Sequence, residues 1–145
     1  MTPLAVTPNA TWLLNPQSRQ PLLSRMLLLA AGYAWDAVRT PEQLGLATAE
    51  RLLADAHDRT QLGPVLHSRR SGCLYWIIRP GSTADYPDGC RLLSATYWIA
   101  VPGDRAVPPD TVRWLHLPTA GVLTPAAWLA AALHDTHTTL PGGTR

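Results

Sequence analysis

Val65-Leu-His-Ser-Arg-Arg-Ser-Gly-Cys-Leu-Tyr-Trp-Ile-Ile-Arg79 is the stretch that decides the fold. Val65 to His67 is a short apolar run, and Arg69-Arg70-Ser71-Gly72 has the composition of a turn. Cys73 to Arg79 is a continuous apolar run of strand length. Together they predict a hairpin. Downstream, Pro80-Gly81 ends the hairpin and a loop from Ser82 to Gly89 leads to strands over Arg91–Ser94 and Tyr97–Val101. After a Pro-rich loop, Pro102 to Asp110, the alternation of Val112 to Leu117 predicts a last strand. Upstream, Tyr33 to Arg39 alternates and is rich in aromatics, which predicts another.

Helices are expected on either side of these strands. Thr40-Pro41-Glu42-Gln43 has a capping threonine, a proline suited to a first helical turn and a glutamine that completes a capping box. The helix it starts should run to about His57, with Leu46, Ala49, Leu53 and Ala56 inward, before Gly63-Pro64 breaks the chain. Thr124-Pro125 repeats the start for Ala126 to His134, where Trp128, Leu129, Ala132 and Leu133 form a stripe. From Gln20 to Ala31, Leu22, Met26 and Leu29, flanked by Leu23, Leu27 and Ala30, predict a third helix, with Gly32 at its end. Residues 1–19, with three prolines around Trp12, read as an extended arm, and 136–145 as a loose tail. The expectation is a single compact α+β domain over residues 20–135, a mostly antiparallel sheet packed with two or three helices.

Composition narrows the function classes. Of 145 residues, 46% are apolar and 15% charged, enough to bury a core and incompatible with intrinsic disorder. A net charge of +2 is too mild for a polybasic nucleic-acid binder, although all twelve basic residues are arginine, as a G/C-rich coding sequence favours. Fourteen prolines and ten glycines favour short elements. Cys73 and Cys90 lack metal-ligand spacing and read as buried thiols; a disulfide between strand neighbours is the alternative. The run Met26–Ala34 behind Arg19 and Arg25 is leader-like in composition, but it is too short to span a membrane and reads as a buried amphipathic helix. A cytoplasmic protein without a membrane partner is expected.

Acid–base or metal chemistry needs converging carboxylates. Asp36 lies inside a strand, either facing solvent by alternation or held in a site, while Asp85 and Asp88 flank Tyr86-Pro87 in a loop that could approach it. The five histidines form no metal pattern, and no phosphate loop, dinucleotide fingerprint or nucleophile elbow is present. Nucleic-acid binding is suggested by Arg69 and Arg70 at the hairpin turn, Tyr75 and Trp76 on the following strand, and Arg79 and Arg91 nearby, since arginine grips phosphates and aromatics stack on bases. The competing reading is that the turn arginines are solvated and that Tyr75, Trp76, Trp98 and Trp114 fill a core lacking phenylalanine.

Trp35-Asp-Ala-Val38, Leu62-Gly-Pro-Val65, Leu74-Tyr-Trp-Ile-Ile78 followed by Arg79-Pro80-Gly81, Tyr97-Trp-Ile-Ala-Val-Pro102 and Val112-Arg-Trp-Leu115 occur in an order that resembles the primase/polymerase (prim-pol) N-terminal domain of the archaeo-eukaryotic primase superfamily, in particular its short actinobacterial members. The likeness covers about two thirds of the chain. Active members carry two acids in a first strand, a histidine in the later aromatic strand and a further acid near the next. Here only Asp36 matches; Ala37, Val38 and Arg39 follow it, Leu74 stands at the histidine position and Asp88 approximates the last acid.

The resemblance therefore implies a degenerate relative with Asp36 and Asp88 as a vestigial site. It implies no primase or polymerase activity, and neither a metal nor another cofactor is expected. The leading expectation is a domain binding nucleic acid or nucleotide through Arg69, Arg70, Arg79, Tyr75 and Trp76. The alternatives are a regulatory or protein-interaction module, self-association included, and an enzyme using Asp36 with Asp85 or Asp88 and a metal.

Overall fold

The computed structural model describes residues 12–14, 18, 26–81, 83–95, 97–102, 111–118 and 121–140. In chain order its elements are β1 (Met26–Ala30), β2 (Asp36–Pro41), α1 (Glu42–Ala54), α2 (Ala56–Gln61), β3 (Val65–Ser68), β4 (Cys73–Ile78), β5 (Arg91–Leu93), β6 (Trp98–Pro102), β7 (Val112–His116) and α3 (Ala126–Thr139). They form one compact α+β domain. Five strands in the order β5-β2-β4-β3-β7 make an antiparallel sheet, and β1 pairs with β6 in a second, two-stranded antiparallel sheet. The predicted hairpin is β3–β4, with Val65 opposite Trp76 and Ser68 opposite Cys73.

Strand alternation divides the large sheet between two cores. Ala37, Leu66, Ile77 and Leu93 face the two-stranded sheet and pack with Leu27, Leu29, Trp35, Ile99 and Val101. Val38, Leu74, Trp76 and Ile78 face the helices and pack with Leu44, Leu52, Leu129 and Leu133. Leu13, expected in the arm, is fully buried in the first core, and its carbonyl accepts a hydrogen bond from Trp35 Nε1 at 3.2 Å. Trp12 and Leu14 pack against the same core and Ser18 is buried, while the rest of the expected arm, residues 20–25 of the expected first helix and most of the 102–110 loop lie outside the described residues.

The expected helix over Gln20–Ala31 is corrected to a strand across Met26–Ala30. Met-Leu-Leu-Leu-Ala satisfies a helical stripe and a buried strand alike, and the distinction is made by its partner: Leu27 and Leu29 point into the core while β6 supplies the hydrogen bonds. Gly32 ends no helix. It sits at φ +92° in the turn to β2, its N–H donating to the Trp35 carbonyl at 2.8 Å, and a Cβ there would collide with the backbone of Ala95.

Both expected capping threonines do something else. A residue before proline is held extended, so each continues into the sheet or its margin with its hydroxyl turned inward. Thr40 Oγ1 accepts from Trp76 Nε1 at 3.0 Å, and Thr124 Oγ1 accepts from the Gly63 N–H at 2.7 Å. Neither α1 nor α3 has a side-chain N-cap, so the expected capping box is corrected as well. The α1 inner face is Leu44, Gly45, Thr48, Ala49 and Leu52, displaced from the expected one, and Leu46 is exposed. Asp55 interrupts the helix because its carboxylate accepts from the Asp58 N–H at 3.0 Å and caps α2. The C-terminal helix runs on to Thr139, so 136–139 is not loose tail; Thr136 is buried and receives the Arg51 Nη1 hydrogen bond at 2.7 Å. Residues 141–145 lie outside the described residues. Among the described residues no helix is long and apolar enough to cross a membrane.

Candidate anion-binding site

Register places the expected site residues at two opposite ends of the large sheet. Asp36 pairs with Ile78, so Asp36, Arg79 and Ser94 share one end; Pro41 pairs with Cys73, so the Arg69–Gly72 turn and the start of β5 share the other. The six residues of β4 separate Arg79 from the Arg69-Arg70 turn by about 20 Å of strand. The structure does not bring these three arginines together. Trp76 is fully buried on the helix side with its indole N–H on Thr40, so it offers no face to a base. Tyr75 points to the opposite face and is half-buried.

At the Asp36 end the expected carboxylate pair is not assembled. Asp36 is buried, and its two oxygens accept from the Gly81 N–H and from Ser94 Oγ, each at 3.0 Å. It ties β2 to the chain leaving β4 and to the end of β5. Asp88 precedes β5 at the other end and is exposed, as is Asp85, whose carbonyl accepts from His134 Nε2–H at 3.0 Å. Among the described residues no group of three His, Cys, Asp or Glu side chains is placed to hold a metal ion. A concavity of about 300 Å³ beside Arg79 is lined by Thr60, Gln61, Gly121 and Leu123, and among the described residues Arg79 is the one cation in its lining.

The other end gathers charge that the sequence left scattered. Arg39 on β2 is in register with Arg91 on β5 and with Tyr75 on β4, and Tyr75 with Leu66 on β3. Burial changes steadily along this row: Leu66 is buried, Tyr75 half-buried, and Arg39 and Arg91 are exposed. The two guanidinium-bearing residues line a concavity of about 300 Å³ together with Thr40, Pro41, Gly72, Cys73 and Gly89. Gly72 is also the last residue of the turn that carries Arg69 and Arg70, both exposed. Among the described residues neither Arg39 nor Arg91 has a carboxylate within ion-pair distance; the one pair of that kind joins His67 Nε2 to Glu42 Oε2 at 2.8 Å on the helix side. Arg91 instead lies over the Tyr97 ring, 4.9 Å from its centroid, and donates from Nη2 to the Tyr97 hydroxyl.

Two titratable groups at this end hold their protons more tightly than usual. Burial, and then the hydrogen bond and charge of Cys73, push the Tyr75 hydroxyl up to about 12, against a smaller opposing effect of Arg39. The phenol therefore stays neutral and adds no negative charge beside the arginines. Burial, followed by Asp88, pushes the Cys90 thiol up to about 11. Both cysteines are free. β2 runs between β4 and β5, which separates Cys73 from Cys90 by roughly two strand spacings, about 9–10 Å, beyond disulfide reach.

Two cross-strand guanidinium groups with no acidic partner among the described residues, and a bounded hollow between short glycine-bearing rims, suit an oxyanion. Planar forks of N–H donors match phosphoryl oxygens in pairs. The sequence presents Arg39 as the end of a strand, where the resemblance expects an acid, and Tyr97 as a strand aromatic within the Tyr97–Pro102 landmark, neither of them as a ligand-binding residue. Nothing in local spacing links them to Arg91, since residues 39 and 91 meet only through the β2–β5 register. No protein-family model matches the chain, and neither a curated protein nor a solved structure is significantly similar to it.

Proposed function

We propose that this chain is a non-catalytic module that binds nucleic acid or nucleotide through phosphate, using the arginine-rich end of its five-stranded sheet. The observation that carries the reading is the direct opposition of Arg39 and Arg91 without an acidic counterpart among the described residues. Arg69 and Arg70, on the turn that ends at the rim of the same hollow, extend the cationic surface along which a strand would run. On this reading Arg79, at the far end, is not part of the footprint.

The order of sequence landmarks supports placing the domain among degenerate prim-pol relatives, and two free thiols suit the reducing cytoplasm. The use of both Asp36 oxygens in internal hydrogen bonds is consistent with loss of catalysis. A second reading, a protein-interaction module, is favoured by one feature: Tyr33 and Trp98 are 57% and 44% exposed near the Ala30–Trp98 end of the two-stranded sheet.

Fluorescence anisotropy of a labelled single-stranded oligonucleotide, and of its duplex, tests the proposal at low and near-physiological salt. Binding that weakens steeply with salt, is lost in Arg39→Ala/Arg91→Ala and survives Arg79→Ala is expected. No binding at low salt would overturn the proposal and leave the protein-interaction reading in its place.

A further inference from the structure

Arg91 is held by a residue from the other sheet's margin. Tyr97 is fixed on both sides by backbone hydrogen bonds, its N–H donating to the Ser94 carbonyl at 3.2 Å and its carbonyl accepting from the Ala31 N–H at 3.0 Å. Its ring is half-buried against the first core. On this support the guanidinium of Arg91 is contacted twice, by the ring and by the hydrogen bond to the hydroxyl. An arginine directly opposite another arginine is repelled by it and, unrestrained, would swing away into solvent. Ordering a loose arginine at the moment of binding also weakens the complex, because its rotamer freedom is then lost.

We infer that Tyr97 is a positioning residue: it holds Arg91 beside Arg39, against their mutual repulsion, so that both guanidinium groups close on one phosphoryl group. The inference rests on the phosphate-binding reading of this end and adds to it a ligand chemistry and a mechanism of preorganisation. Two guanidinium forks present more N–H donors than the two oxygens of a carboxylate accept in pairs, whereas a phosphoryl group offers two or three outer oxygens spread in three dimensions. A phosphate ester is therefore the group that uses both forks. It can come from a strand or from a free nucleotide, and the probes below separate these sources.

The test measures affinity and its salt dependence for a labelled single-stranded oligonucleotide and for a fluorescent nucleoside triphosphate, in wild type, Tyr97→Phe, Tyr97→Leu and Arg91→Ala. Tyr97→Phe keeps the ring and removes only the hydroxyl, so its fold is safeguarded even where Tyr97→Leu fails to fold. The expected result is a loss of roughly threefold to tenfold in Tyr97→Phe for whichever probe the wild type binds, with the slope of log K against log salt unchanged, because no charge has been removed. Arg91→Ala should lower that slope for the oligonucleotide by about 0.7. Tyr97→Phe binding with wild-type affinity, or showing the slope of Arg91→Ala, would overturn the positioning role while leaving phosphate binding intact. Failure of the wild type to bind either probe would overturn both.

Discussion

Arg39 and Arg91 face each other across the β2–β5 pair, two like charges in direct cross-strand register. Such pairs oppose folding, and no carboxylate among the described residues lies within ion-pair distance of this one. Replacing Arg39 with threonine, a good strand former, should raise stability by a few tenths to about 1 kcal/mol. The same change should weaken binding of a phosphate probe at least tenfold, since a hydrogen bond to a charged group is worth about 1.5–3 kcal/mol. Urea denaturation and anisotropy on the same variant check the two halves; a destabilised variant would remove the argument that the charge pair is kept for a ligand.

Gly45 illustrates a helix glycine retained for contact. A Cβ at this position would lie 2.5 Å from Thr40 Oγ1 and 3.1 Å from the Leu74 side chain, in the seam where α1 crosses β2 and β4. Helix propensity alone predicts that Gly45→Ala stabilises by about 1 kcal/mol. The packing predicts the opposite sign, a loss of about 1–3 kcal/mol, readable in a thermal melt.

Asp36 is an anchor for two loops. Asp36→Ala leaves the Gly81 N–H and the Ser94 hydroxyl without their acceptor and should cost about 1–3 kcal/mol, with Asp36→Asn losing less because one acceptor oxygen remains. Millimolar Mg²⁺ or Mn²⁺ should leave the wild-type melting temperature where it is. A metal-dependent rise that Asp36→Asn abolishes would instead favour the enzyme reading.

Stability should fall at alkaline pH. An unfolded tyrosine loses its proton near 10.0 whereas Tyr75 keeps it to about 12, and an unfolded cysteine ionises near 9.0 whereas Cys90 does so at about 11. Between these values the folded chain binds more protons than the unfolded one, so stability is fully present below about pH 9 and declines as pH rises through 11 and 12. Melting temperatures measured from pH 8 upward should show this decline, and Tyr75→Phe should remove its upper part.

The hairpin, the later strands and the C-terminal helix were legible because their turns and periods agree with what tertiary packing selects. Met26–Ala30 was misread because a five-residue apolar run carries no period of its own, and only β6 makes it a strand. The Thr-Pro pairs were misread as caps because sequence shows the hydroxyl but not the buried donors, Trp76 Nε1 and the Gly63 N–H, that reach it from distant positions. Arg69 and Arg70 were visible as a turn, yet Arg39, Arg91 and Tyr97 were not visible as a group. Their proximity is a product of strand order, in which β5 joins the sheet outside β2 rather than beside β4. For the same reason Trp76 looked available for stacking: a continuous apolar strand does not disclose which of Tyr75 and Trp76 meets the helices.

If Arg39 and Arg91 form the proposed site, one end of the sheet receives phosphate and the other does not. Arginine side-chain Nε–Hε NMR signals, assigned by single substitutions and followed during titration with a short single-stranded oligonucleotide, test it directly. Saturable shifts at Arg39 and Arg91, with smaller ones at Arg69 and Arg70 and none at Arg79, are the predicted result. Shifts confined to Arg79, or no saturable shift at any arginine, would contradict it.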